Sequence, residues 1–162
     1  MKKNIMKKVI LSALCISLLV IAAACGAQAD NARLVDGELT DIFKKIYENA
    51  GVTNPMILGE TVLTDDNKAY MLGSDKVQFT EGRASEPMIG SIAHSMVLIR
   101  VDSNTNIEKT KKLIKDTINP RKWICAGVNP DQVIVNNIGD LIFVVMSTEA
   151  KAYHESFLKL AK

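Results

Sequence analysis

The sequence predicts an α+β fold, in which a mostly antiparallel sheet of three to five strands packs with about three helices after an N-terminal signal helix. Three observations carry this expectation. Residues 141–146, Leu-Ile-Phe-Val-Val-Met, have no polar alternation and suit a strand covered on both faces. The cluster Asn137, Ile138, Gly139, Asp140 separates that run from a second β-rich run and has the composition of a hairpin turn. Elsewhere, apolar residues recur at i, i+3, i+4 and i+7, the period of a helix with one buried face.

In chain order, the first feature is an export signal. Lys2, Lys3, Lys7 and Lys8 precede an apolar run over residues 9–24, and Ala22, Ala23 and Ala24 lead directly to Cys25. Small residues before a cysteine are what a lipoprotein signal peptidase cuts after the thiol has received diacylglycerol, so Cys25 is the expected lipid attachment site. Two other readings remain. Ala27, Gln28 and Ala29 fit an ordinary secretory cleavage, which would release the chain without lipid. A permanent membrane span is disfavoured, because about 16 apolar residues make about 24 Å of helix, short of a bilayer core. The expected organisation is a signal peptide over residues 1–24, a lipidated cysteine and flexible tether over 25–36, and one domain over 37–162.

Composition narrows the class. The 162-residue chain carries a formal charge of +2, but the signal holds four lysines and no acid, so the mature chain is slightly acidic. A basic nucleic-acid binder is disfavoured. With the signal removed, the chain suffices for one domain with a real core and is short for two. Of the three cysteines, Cys15 leaves with the signal and Cys25 carries lipid, so Cys125 has no partner for an internal disulfide.

Asp36, Gly37 and Glu38 open the first helix, whose Leu39, Ile42, Phe43 and Ile46 share one face, and Gly51 ends it. Residues 52–86 are weakly patterned. A short strand is expected around Met56, Ile57 and Leu58, a helix or loop over 64–72 and another strand over 76–80, with Glu86 and Pro87 breaking the chain. Residues 92–101 form the clearest early strand, with Ser95, Val97, Ile99 and Val101 on one face and His94, Met96, Leu98 and Arg100 on the other. Thr105 and Glu108 have capping-box spacing for a helix to about residue 117. Its Ile107, Thr110, Leu113, Ile114 and Ile118 face inward, while Lys109, Lys111, Lys112 and Lys115 lie largely outside. Asn119 and Pro120 stop it. From Ser147 as cap, a last helix aligns Ala150, Tyr153, Phe157 and Leu160.

The run of lipobox, early helix, Glu86-Pro87-Met88 leading into 93–101, a lysine-rich helix and then 136–145 resembles the small lipoproteins of Gram-positive anaerobes grouped only as a domain of unknown function. The resemblance spans about residues 39–160. It implies a lipid-anchored extracytoplasmic domain with no assigned catalytic residue.

Reactive constellations are sparse. Ser156 and Lys159 fit S-x-x-K, but the companion motifs of serine-lysine enzymes are absent. Cys125 with His94 or His154 would make a thiol-imidazole pair, yet Trp123, Ile124 and Ala126 predict a buried, inert thiol. Each histidine is expected half-buried or at the surface, and two are too few for a typical zinc site. Asp65, Asp66 and Asn67 lack the glycine and glutamate of a calcium loop and read as a solvated turn. Lys109, Lys111, Lys112, Lys115, Arg121 and Lys122 form a positive patch that reads as a solvated face. No phosphate loop or dinucleotide motif occurs, so no cofactor and no metal are expected.

The expected function is therefore a non-catalytic, lipid-anchored module at the outer face of the cell membrane, binding an envelope protein or a wall polymer. The alternative is a small envelope enzyme assembled in space from His94, Cys125 and His154. A ligand-capturing transporter subunit is disfavoured by size. An exposed apolar patch on the sheet or at Met88 and Ile89 would favour the binding module.

Overall fold

A computed structural model describes residues 35–52 and 57–161. The export signal, Cys25, the proposed cleavage after Ala29, the tether to residue 34 and Met56 lie outside the described residues. Among the described residues, no helix is long and apolar enough to cross a membrane.

The fold is α+β, built on a five-stranded, wholly antiparallel sheet in the order β1-β2-β3-β5-β4. The strands are β1 (Leu58–Val62), β2 (Glu81–Pro87), β3 (His94–Arg100), β4 (Val133–Ile138) and β5 (Leu141–Ser147). Helices α1 (Leu39–Ala50) and α4 (Ala150–Leu158) cover one face; short α2 (Lys68–Leu72), α3 (Ile107–Thr117) and the irregular segment 118–128 cover the other.

Every residue of β3 and of β5 is buried, which places the continuous apolar run of β5 next to the sheet centre, between β3 and β4. Strand alternation then divides the core. Val97, Ile99, Ile142 and Val144 pack with Ile114, Leu72 and Trp123. Met96, Leu98, Phe143 and Val145 pack on the other face with Ile42, Phe43, Ile46, Tyr153 and Phe157. Phe143 and Phe157 stack with centroids 4.6 Å apart. Val35 is buried in this second cluster, and the Arg100 guanidinium, itself 4% exposed, donates to the Gly37 carbonyl at 3.0 Å. Packing therefore begins within the stretch read as tether.

Several local expectations change. The first strand starts at Leu58, and the second lies at 81–87 instead of 76–80. Strand β2 ends at Pro87, as expected of the Glu86-Pro87 break, and the proline is tolerated as its last residue because it stands opposite Leu58 at a position where β1 needs no donor from it. Its missing N–H instead faces β3, whose pairing with β2 stops at Ser85 and Met96. The cap of α3 is Asn106, whose side chain accepts from the Lys109 amide at 2.9 Å, in place of the Thr105 box. Helix α4 starts at Ala150, three residues beyond Ser147, whose hydroxyl accepts from the Glu149 amide. Gly73 closes α2 at φ 82, and a Cβ there would lie 2.4 Å from the backbone of Thr117 and Ile118, so α2 meets the end of α3 only through glycine.

Phe143→Ala should cost about 3–5 kcal/mol through the cavity it leaves, and Val145→Asp should cost at least as much by burying an unpaired charge. Lys112→Glu, at a side chain 76% exposed, should stay within roughly 0.5 kcal/mol of wild type. Thermal melts of the fragment from Asp30 onward check the ranking; equal tolerance at Val145 and Lys112 would contradict the doubly covered strand.

Candidate interaction surface

One end of the sheet concentrates both polar chemistry and exposed apolar surface. There the alternation of β2 and β3 sends Ser85 and His94 to the α1/α4 face, and Glu86 and Ser95 to the other.

On the α2/α3 face, segment 118–128 lowers Lys122 onto the sheet. The side chain is 2% exposed; Nζ lies 2.5 Å from Glu86 Oε1 and donates to Ser95 Oγ at 3.2 Å. The ammonium also sits 4.6 Å from the Tyr70 ring centroid and 5.6 Å from that of Trp123. Burial lowers the Lys122 pKa, and the Glu86 carboxylate opposes that shift. A lysine beside a serine is the constellation of a serine-lysine nucleophile. Here, however, the lysine is ion-paired and Ser95 is 1% exposed, so the closed arrangement gives no substrate access to the hydroxyl. What it does is pin the 118–128 segment to the sheet: removing either charge would leave the other buried and unpaired.

Back to back with it lies a second cluster. Tyr47 Oη donates to Ser85 Oγ at 3.0 Å and stands 2.9 Å from His94 Nε2. The Tyr153 ring packs edge-on against His94 at 5.2 Å. With the Tyr47 proton given to Ser85, His94 Nε2–H donates to Tyr47, which leaves Nδ1 as a buried acceptor without a partner. Burial holds the His94 pKa down at about 4 and pushes Tyr47 well above its ordinary value. Both groups are neutral at pH 7; His94 is sealed from solvent and Tyr47 is half-buried.

The structure does not assemble the thiol-imidazole pair. His94 is buried, 1% exposed, contrary to the surface or half-buried expectation; as the first residue of β3 it faces the layer formed by α1 and α4. His154 is half-buried, stacks on Phe143 and lies 2.6 Å from Asn136 Nδ2. Cys125 is on the opposite face and exposed, which corrects the expected burial. Trp123 and Val128 turn inward, the Val128 amide bonds the Pro120 carbonyl, and Ile124 and Cys125 between them are turned out, with Cys125 at φ 59. In an irregular loop, apolar neighbours in sequence do not report burial.

The other motifs have local partners. Ser156 donates to the Ile46 carbonyl at 2.8 Å, tying α4 to α1. Asp65 pairs with Lys68 at 2.6 Å, and Asn67 bonds both the Thr64 amide and the Val62 carbonyl. Lys111 reaches Asn137 and Glu108, Lys112 reaches Asp116, and Lys115 reaches the Val133 and Pro130 carbonyls. Lys122 leaves the positive patch altogether. Among the described residues, no group of three or more His, Cys, Asp or Glu residues is placed to hold a metal ion.

Around the Lys122 pillar the surface is apolar. Ile57 is 72% exposed, Met88 74%, Ile89 60% and Ile124 75%. Backbone bonds gather them: the Met88 amide donates to the Ile57 carbonyl and the Ile124 amide to the Gly90 carbonyl, each at 3.0 Å. Met88 and Ile89 were legible as a possible patch; Ile57 and Ile124 join them through contacts between distant segments.

Cys125 should react with a maleimide in the native protein at the rate of an exposed model thiol; protection until unfolding would contradict its placement. His94 makes stability pH-dependent. Between its folded pKa of about 4 and the ordinary 6.5, the unfolded chain binds a proton that the folded chain refuses. Stability therefore falls as pH drops through that window, by roughly 3 kcal/mol in all, and this group has no effect above it. His94→Gln should flatten that part of the melting temperature profile between pH 7 and 4; an unchanged slope would assign the loss elsewhere.

No family model, no curated protein and no solved structure matches this chain.

Proposed function

We propose that this chain is a lipid-anchored extracytoplasmic domain, akin to the small lipoproteins it resembles, that binds another envelope protein through the Ile57, Met88, Ile89 and Ile124 end and carries out no reaction itself. The observation that carries the reading is the grouping of four aliphatic side chains, each at least 60% exposed, on backbone held by a buried ion pair. Monomeric surfaces expose large apolar side chains singly; a gathered, rigidly held set marks an interaction site. Aliphatic side chains favour a protein partner over a wall polymer, whose sugars need aromatic platforms and convergent hydrogen-bonding groups.

A photoreactive residue at position 124 should crosslink to a protein in intact cells, whereas one at position 112 should not. Met88→Asp should abolish the adduct without lowering the melting temperature. Cys25→Ser should remove lipid labelling and release the domain from the membrane fraction. Adducts to lipid, or equal adducts from both positions, would refute the binding end; unchanged lipid labelling in Cys25→Ser would refute the anchor.

A further inference from the structure

The two edges of the sheet are treated differently, and the difference specifies a ligand. On β4 the outward carbonyl of Val133 accepts from Lys115 Nζ, and the outward amide of Asn137 is taken by the Asn136 side chain at 2.8 Å. Both ends of that edge are closed by side chains, the usual protection against strand addition.

On β1 the amide of Leu63 donates to the Gly82 carbonyl and the Ile57 carbonyl accepts from Met88. Residues 57, 59, 61 and 63 therefore turn their backbone groups to β2, and Leu58, Glu60 and Val62 turn theirs outward. Asn67 occupies the Val62 carbonyl. The N–H and C=O of Leu58 and Glu60 and the N–H of Val62 have no partner among the described residues. The Glu60 side chain does not cover them, being held by Thr40 at 2.7 Å and Arg83 at 3.5 Å.

The open edge also has polarity. Exposed Ile57 and Met88 flank its start; Asp65 and Asp66 lie past its end, with one of the two carboxylates neutralised by Lys68. A sixth strand laid antiparallel, as every pair in this sheet is, would bring its C-terminal end to the apolar side chains and its N-terminal end to the uncompensated carboxylate. A second copy of β1 laid antiparallel would set its acidic end against the apolar end of the first, which is mismatched at both ends.

We infer that β1 is a docking edge for an extended segment of a different protein, basic toward its N-terminal end and apolar toward its C-terminal end, which adds to the sheet as a sixth, antiparallel strand. This rests on the binding-module reading and names how the partner is held.

The probe is a short synthetic peptide of alternating threonines with lysines in its N-terminal half and valines in its C-terminal half. It is tested by fluorescence anisotropy on the full chain in detergent, beside a peptide of reversed order. The first peptide should bind saturably, and the reversed peptide at least about tenfold more weakly. Glu60→Pro deletes one outward donor and leaves the bonds to β2 intact, so it should weaken binding about tenfold or more, while Glu60→Gln should bind as wild type does. In case the proline variant does not fold, amide exchange on the wild type gives the same information: the Leu58 and Glu60 amides should exchange freely alone and slowly with peptide. Absent binding, equal binding of both peptides, no protection of those amides, or a wild-type dimer that Glu60→Pro disrupts would each overturn the inference. Peptide binding together with failed crosslinking at position 124 would instead keep the edge and refute the apolar end as the partner site.

Discussion

The run Leu141 to Met146 offers no polar side chain to either face of the sheet, and the rest of the molecule is arranged to keep both faces dry. An antiparallel sheet commonly leaves one face to water. Here β5 and its neighbour β3 are buried throughout, so helices are needed on both sides. Helices α1 and α4 close one face with their apolar stripes. Helix α3 is amphipathic and buries Ile114 fully, and the rest of its face falls to α2 and to an irregular stretch of chain.

Covering a sheet with irregular chain has consequences. Such a segment lacks the helical period that keeps apolar residues on one side, so consecutive residues point different ways. Trp123 and Val128 go into the core, Lys122 reaches an acidic partner on the strand below, and Ile124 and Cys125 are left in solvent. The same segment thus creates the buried ion pair and the exposed apolar group. The pair is a poor source of net stability, since desolvation offsets much of its attraction. Its value is positional: it holds the surface loop in one place, which lowers the ordering cost of binding there.

The strand period explains why two polar clusters lie back to back. Ser85 with Glu86, and His94 with Ser95, are adjacent in sequence, so one of each pair points to each face. Histidine and lysine both have lowered pKa values because burial, in each case, is the largest influence. Perturbed groups of this kind often mark catalytic sites, but here both are enclosed, and the accessible chemistry is that of exposed side chains and an unpaired strand edge.

By itself the sequence determined the elements whose signal is local. The stripe Leu39, Ile42, Phe43, Ile46, the alternation through 94–101, the Gly139 turn and the unbroken apolar run after it each follow from a period of 3.6 or 2 that neighbouring residues carry alone. The α+β class followed from those, as did the sheet size within its stated range. Only the tertiary structure decided the rest. Strands β1 and β2 carry Gly59, Glu60, Gly82, Arg83 and Pro87, which are poor strand formers, and they exist because β2 pairs with β3 and β1 in turn pairs with β2. Lys122 and His94 are buried because distant Glu86 and Tyr47 lie beneath and beside them, and Cys125 is exposed because Trp123 and Val128 take the inward positions on either side of it. Partners separated by tens of residues leave no periodic trace in a single chain, so burial of polar groups, the apolar end and the open edge became visible only once the sheet brought those segments together.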